Sequence, residues 1–230
     1  EVMVNRVTVH RDLEYQKNWI KETFYDYDIE NFILVGGEKS GTKYVGPSVN
    51  QTSEYITRDL NTGKFDIFCG GITIPSRKME SERLLRKGSN GIEFFTSQVL
   101  YDSVKTKKML KYYNDICGKN RVLPRRILLS FAPVSSQENI NFLKWLGVEI
   151  PSETERRLKQ NEQIMPDESL EIASEILKDI LNNNEKLGIK VPIGLNVEHI
   201  MSYNFQTSIN MLQELSKVYR KFCIKTSLYD

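Results

Sequence analysis

Six short runs of the chain are almost continuously apolar or β-branched: Val4–Val9, Phe32–Gly37, Phe65–Gly71, Ile92–Leu100, Ile127–Pro133 and Val191–Val197. A strand covered on both faces has no solvent side with which to alternate, so such runs predict buried parallel strands. Between them the period changes to that of a helix. Leu13, Trp19, Ile20 and Phe24 recur at helical spacing, as do Val104, Met109, Leu110 and Tyr113. A longer stripe runs through Leu170, Ile172, Ala173, Ile176, Leu177, Ile180 and Leu181. Helix starts are expected at the capping boxes Ser135-x-x-Glu138 and Pro151-Ser152-x-x-Glu155, and at Asp102 and Asp167. Helix stops are expected at Gly88, Gly118, Gly147 and Gly188. Strict alternation of strand and helix with right-handed crossovers predicts an α/β fold, either a doubly wound sheet or a (β/α) barrel. No repeat or low-complexity linker divides residues 1–230, which read as one domain.

Composition narrows the function. The chain has 32 basic and 30 acidic residues, a formal charge of +2, without the excess that nucleic-acid binding usually requires. Lys105-Thr106-Lys107-Lys108 reads as a solvated helix face. Cys69, Cys117 and Cys223 are isolated, and His10 and His199 are the only histidines. Neither a disulfide framework nor a zinc cage is expected, and a reducing cytoplasm fits this cysteine usage. No run of about 18 apolar residues predicts a membrane span, and no secretion signal opens the chain.

The strand ends carry the candidate chemistry. If Ile92–Leu100 is a parallel strand, Gln98 lies at its carboxyl end, where α/β proteins place ligand-handling groups. Gly36-Gly37-Glu38-Lys39-Ser40-Gly41-Thr42-Lys43 nearly spells a phosphate-binding loop, but the final order is wrong and no helix pattern follows. The glycines Gly36 and Gly37 would still let a flat ligand approach the backbone. Glu38 adjoins them and could face the same centre as Gln98; an exposed loop glutamate is the alternative. Glu80, Arg83, Arg86 and Lys87 fall at helical spacing and could grip a pyrophosphate, or be solvated helix charges. Asn196, Glu198 and His199 close the last run; the glutamate and histidine could do acid–base work or simply enter a helix.

In order along the chain, these strand ends resemble the flavin-dependent methylenetetrahydrofolate reductases. Phe95-Thr96-Ser97-Gln98-Val99-Leu100-Tyr101-Asp102 resembles the family's Ile-Thr-Gln-Phe-Phe-Phe-Asp strand, with Arg86-Lys87 at the family's spacing before the glutamine. Ser130-Phe131-Ala132-Pro133-Val134 resembles Gly-Ile-Leu-Pro-Val, and Val148-Glu149-Ile150-Pro151 resembles Val-Arg-Ile-Pro. The resemblance covers most of the chain. It implies a (β/α)8 TIM-type barrel, of which six parallel strands and their helices are present here. It also implies FAD as cofactor, and reduction of 5,10-methylenetetrahydrofolate to 5-methyltetrahydrofolate by NADH or NADPH through the flavin. Gln98 matches the pterin-orienting glutamine and Glu38 the carboxylate near the cationic centre. Gly36, Gly37, Glu80, Arg83, Arg86 and Lys87 match cofactor-binding positions, Phe142 an aromatic that stacks on substrate, and Asn196 a substrate-binding position.

The departures are specific. The family's Arg-Gly-Asp is Gly36-Gly37-Glu38 here, an Asn on its flavin helix is Arg83, and its last Tyr-Thr-Leu-Asn is Asn196-Val197-Glu198-His199. Val4–Val9 aligns with the family's third strand. The resemblance therefore implies a preceding segment of roughly fifty residues or more, enough for two βα units. Family members take their proton-donating glutamate from there, so that residue is not assigned here; Glu198 and His199 are candidates to replace it. A catalytically weak folate- or flavin-binding subunit, working with an electron-transfer partner protein, is the rival expectation. A homo-oligomer is compatible with either.

Overall fold

The computed structural model describes residues 2–37, 42–63 and 65–227, with the backbone alone for 224–227. In chain order the elements are β1 (Met3–Val7), α1 (Leu13–Tyr27), β2 (Asn31–Val35), α2 (Val49–Tyr55), β3 (Phe68–Thr73), α3 (Glu80–Ser89), β4 (Phe94–Ser97), α4 (Val104–Lys119), β5 (Arg126–Phe131), α5 (Gln137–Trp145), α6 (Ser152–Leu158), α7 (Met165–Leu187), β6 (Ile193–Val197) and α8 (Phe205–Ser227). All six expected strands are present. They are parallel and lie in sequential order β1-β2-β3-β4-β5-β6. The order never reverses, which excludes the doubly wound alternative. Right-handed crossovers then put the helices on one face of the sheet, as in a (β/α) barrel. No ladder joins β1 to β6 among the described residues, so the sheet is a six-stranded arc and not a closed barrel.

The main core lies between the sheet and its helices. Phe32 and Leu34 of β2, Phe95 of β4, and Ile127, Leu129 and Phe131 of β5 are all fully buried, against Ile20, Leu84, Leu110, Leu177 and Ile180 from the helices. Because side chains alternate across a strand, the residues between these point to the opposite, inner face. That face is sparsely covered at the β1 side, where Met3 and Val7 are exposed, and Phe68 stacks on Phe94 at 5.3 Å. Its small positions accommodate large neighbours: a Cβ on Gly70 would stand 2.3 Å from the Phe94 ring, and one on Gly194 2.5 Å from Leu128. Small beside large is how barrel interiors fit their curvature.

Helix α7 follows the predicted stripe: Ile172, Ala173, Ile176, Leu177, Ile180 and Leu181 are buried, and Gly188 ends it at φ 60°. Truncating Leu177 to Ala would remove about 2–5 kcal/mol, the usual cost of a core cavity. Several expected boundaries move. Helices α3 and α4 run through Gly88 and Gly118 and end at Asn90 and Asn120. Neither glycine needs a positive φ; Gly91, at φ 99°, turns the chain after α3, and Arg121, at φ 54°, after α4. Ser136, not Ser135, caps α5, and α6 begins after Pro151 without a side-chain cap. Helix α7 starts at Met165, two residues before Asp167. Asp102 does cap α4, its carboxylate accepting from Val104 N at 2.9 Å and Lys105 N at 3.4 Å. A reciprocal capping box forms instead at Ser48 and Gln51 on α2.

Candidate functional site

At the carboxyl end of β4 the sheet begins to part. The β4–β5 ladder stops at Thr96 opposite Leu128. Beyond it Ser130 N donates to Ser97 Oγ at 2.9 Å, and Leu100 N donates to Ser130 O at 2.9 Å. On the inner face above this junction, three strands contribute to one hydrogen-bonded cluster. Thr96 Oγ1 and Ser130 Oγ lie 3.0 Å apart, and Asn196 Nδ2 donates to Ser130 Oγ at 3.0 Å and to Thr96 Oγ1 at 3.3 Å. Register brings them together, since Ser130 pairs directly with Asn196. Two residues on, and therefore on the same face, Glu198 Oε1 accepts from Asn196 Nδ2 at 3.5 Å. Burial pushes the Glu198 carboxyl above the ordinary carboxylate range, opposed in part by a hydrogen bond to Ser130. His199 does not join it; its ring packs edge-on against Phe205 at 5.3 Å.

Gln98 has the same parity as Thr96. Its backbone N donates to Thr73 O at 2.8 Å, and its side-chain Nε2 reaches Leu146 O, just past α5, at 3.4 Å. It borders a cavity of about 710 Å³ between the β4–α4 and α5–α6 connections. Val99, Leu100, Tyr101, Val148 and Ile150 form its apolar walls, while Lys105, Lys144 and Glu149 lie on its rim. The size is that of a small-molecule site. Lys105 is paired with Glu149 and holds that carboxyl below the usual range; Lys144 is paired with Glu155. Phe142 lies one helical turn before Leu146, to which it is joined by a backbone hydrogen bond, and stacks on the exposed Trp145 at 5.8 Å.

The basic-acidic helix behaves differently. Glu80, 2% exposed, accepts from Thr73 Oγ1 at 3.1 Å and Ile74 N at 3.0 Å through Oε1. Its Oε2 lies 3.7 Å from Arg77 and 4.0 Å from Arg83 Nε. Those separations attract without making a hydrogen bond, and both Glu80 Oε2 and Arg83 Nε are buried without a hydrogen-bond partner. Lys87 Nζ donates to Ile72 O at 2.7 Å, and burial lowers its pKa despite the opposing pull of Glu80. Arg86 points to solvent.

Of the two glycines after β2, Gly37 is tightly constrained. A Cβ there would stand 2.2 Å from the Tyr44 ring, so the close approach it permits is already made by Tyr44. Gly36 would accept a Cβ, meeting Val49 at 3.5 Å. Glu38 lies outside the described residues. Gln98, Asn196 and Glu198 thus gather at the carboxyl ends of β4 and β6, and Glu80, Arg83 and Lys87 at the neighbouring β3–α3 junction. Sequence reasoning missed Thr96 and Ser130. Their signal was parity, because each alternates with the fully buried phenylalanines Phe95 and Phe131. The described residues include no cluster suited to a metal ion and no helix long and apolar enough to cross a membrane.

Neither a protein-family model nor a curated protein sequence matches this chain. A solved structure does: an uncharacterized protein from Clostridium thermocellum that binds two copies of 5-methyl-5,6,7,8-tetrahydrofolic acid. The two chains share 17% identity and superimpose with a TM-score of 0.68, over 94% of this chain and 95% of the other. At that identity the likeness establishes a common fold.

Proposed function

We propose that this chain binds a reduced folate at the carboxyl ends of β4–β6. We further propose that it works with FAD held along α3 to reduce 5,10-methylenetetrahydrofolate to 5-methyltetrahydrofolate. The observation that carries this reading is the adjacency of two polar regions at one end of the sheet. One is the inner-face cluster of Thr96, Ser130, Asn196 and Glu198 beside Gln98. The other is the head of α3, where Glu80 Oε2 and Arg83 Nε are buried without hydrogen-bond partners. The folate bound by the structural neighbour supports the first part.

The residues at α3 fit a nucleotide cofactor. The groups left over at Glu80 and Arg83 are a carboxylate oxygen and a guanidinium N–H, both buried; a ribose hydroxyl that displaced the side chains covering them would donate to the first and accept from the second. Arg86, and Lys87 if it released Ile72 O, would supply positive charge for a pyrophosphate. When bound, FAD would supply a hydride carrier. The chain's own part would be to orient the pterin through Gln98, with Asn196 holding the inner-face groups in place, and to exclude water with the apolar walls of the neighbouring cavity. Electrons would come from NADH, NADPH or a partner electron-transfer protein.

Reconstitution tests the reading. The purified protein is expected to take up FAD and turn yellow, to bleach anaerobically with a nicotinamide donor, and to recover its colour on adding methylenetetrahydrofolate. A protein that takes up neither FAD nor 5-methyltetrahydrofolate would overturn it. The internal use of Lys87 Nζ by Ile72 O and of Glu80 Oε1 by β3 favours a second reading, a folate-binding subunit without its own flavin chemistry. Folate binding with no FAD uptake would select that second reading.

A further inference from the structure

Glu198 is set apart from the other acidic side chains at this end of the sheet. Glu149 and Glu155 are each neutralised by lysines, and Glu80 is tied to β3 and flanked by two arginines. Glu198 has no lysine, arginine or histidine close enough to compensate it among the described residues. Around its half-buried carboxyl are the amide of Asn196, the hydroxyl of Ser130 and the buried phenol of Tyr101, which donates to Ala132 O at 2.9 Å. Burial holds the Tyr101 phenol well above its ordinary range, so Glu198 is the acidic group of this set that a ligand would meet. A half-buried carboxylate without a cation is costly unless a ligand brings N–H donors to it.

Resting on the folate-binding reading above, we propose that Glu198 is the residue that recognises the amino-pyrimidinone edge of the pterin. Its carboxylate accepts the ring N3–H and one hydrogen of the 2-amino group as a two-point pair. A folate has one end rich in adjacent N–H donors and another that carries carboxylates. An uncompensated carboxylate pairs with the first and repels the second, so it fixes which end enters the inner face. Asn196 is a positioning residue. Its amide is held by Thr96 and Ser130 on neighbouring strands and donates back to Glu198 Oε1, restricting the carboxylate to the inner face. Gln98, which borders the cavity beyond β4, is left to contact the rest of the ring system.

Binding of 5-methyltetrahydrofolate and of its 2-desamino analogue to the intact chain tests the assignment, with Glu198→Gln as the altered protein. The unaltered chain should bind the analogue about 10- to 100-fold more weakly than the parent folate, the usual cost of leaving a charged acceptor unpaired. Glu198→Gln should bind the parent more weakly by a similar factor and discriminate little between the two. Its affinity should also lose the decline that the unaltered chain shows as acid protonates the carboxylate. The analogue experiment needs no variant, so a folding defect in Glu198→Gln cannot hide the answer. Equal affinity of the unaltered chain for both ligands overturns the assignment, as does full retention of parent binding by a folded Glu198→Gln. Failure of the unaltered chain to bind 5-methyltetrahydrofolate at all removes the folate reading and this assignment with it.

Discussion

The two polar regions at the carboxyl end of the sheet, one mostly charged and the other mostly hydroxyl and amide, differ in what their residues are left to do. At the β3–α3 junction most of the charge is engaged internally. The β2 ladder leaves β3 after Gly71, and Glu80 and Lys87 reach back from α3 to Ile74 N and Ile72 O beyond that point. At β4–β6 the strands hydrogen-bond side chain to side chain, through Thr96, Ser130 and Asn196, with Glu198 at the margin of that network and Gln98 beyond it, reaching Leu146 O. Charge near an unpaired backbone is spent on structure, whereas charge beyond a self-satisfied polar cluster remains open to a ligand.

The sharpest way to break this contrast is Glu80→Ala. It leaves Ile74 N and Thr73 Oγ1 without their acceptor and Arg77 and Arg83 without a counter-charge, and should cost about 2–4 kcal/mol in urea denaturation. A loss below about 1 kcal/mol would show that the junction does not depend on it. On the other side, Gln98→Ala should leave stability within about 0.5 kcal/mol, because the Leu146 contact is long. It should weaken 5-methyltetrahydrofolate binding roughly tenfold in a fluorescence titration, the equivalent of one modest hydrogen bond. The reverse pattern would move the ligand away from β4.

Lys87→Met sharpens the comparison by removing a buried charge while keeping most of the stem. Because burial depresses the ammonium's pKa, its desolvation cost is present at neutral pH and disappears as pH rises from that lowered value towards 10.5. The hydrogen bond to Ile72 O offsets part of it. The variant should therefore fall within about 1 kcal/mol of the parent at pH 7, with the parent gaining on it in alkaline solution. Measured FAD affinity should drop even though the fold is kept; unchanged affinity would remove Lys87 from the cofactor site. The smallest effect expected is on the stability of Glu198→Gln. The raised carboxyl pKa means that ionisation disfavours the fold above that pKa, a penalty absent below the ordinary value of 4.5. The variant should melt slightly higher at pH 7 and lose that advantage in acid. A melting point lowered at pH 7 would mean that the carboxylate is there for structure.

Much of this arrangement is legible along the chain. The apolar runs marked every strand, because a doubly covered strand must be apolar nearly throughout. The stripe from Leu170 to Leu181 marked α7 for the corresponding helical reason. Glycine was a poorer guide: Gly88 and Gly118 sit inside helices, where a glycine costs about 1 kcal/mol and is tolerated when packing supplies more. The cap expected at Ser135 falls one residue on, because Ser135 instead contacts Asn204, 69 residues away, and leaves the cap to Ser136. Gln98 and Asn196 were visible because they interrupt apolar runs. Thr96 and Ser130 were not, since a hydroxyl within a strand is common on either face and acquires meaning only from what lies across the ladder.

By itself, then, the sequence determined the number and type of the strands, the long helices and the polar residues that end them, because these depend on local periodicity and on which side chains interrupt it. Only the tertiary structure decided between reversed and sequential strand order. It alone placed Thr96, Ser130 and Asn196 within hydrogen-bonding distance, engaged Glu80 and Lys87 with β3, and left Glu198 without a cation among the described residues. Each of these outcomes depends on register between strands separated by tens of residues, which no local pattern encodes.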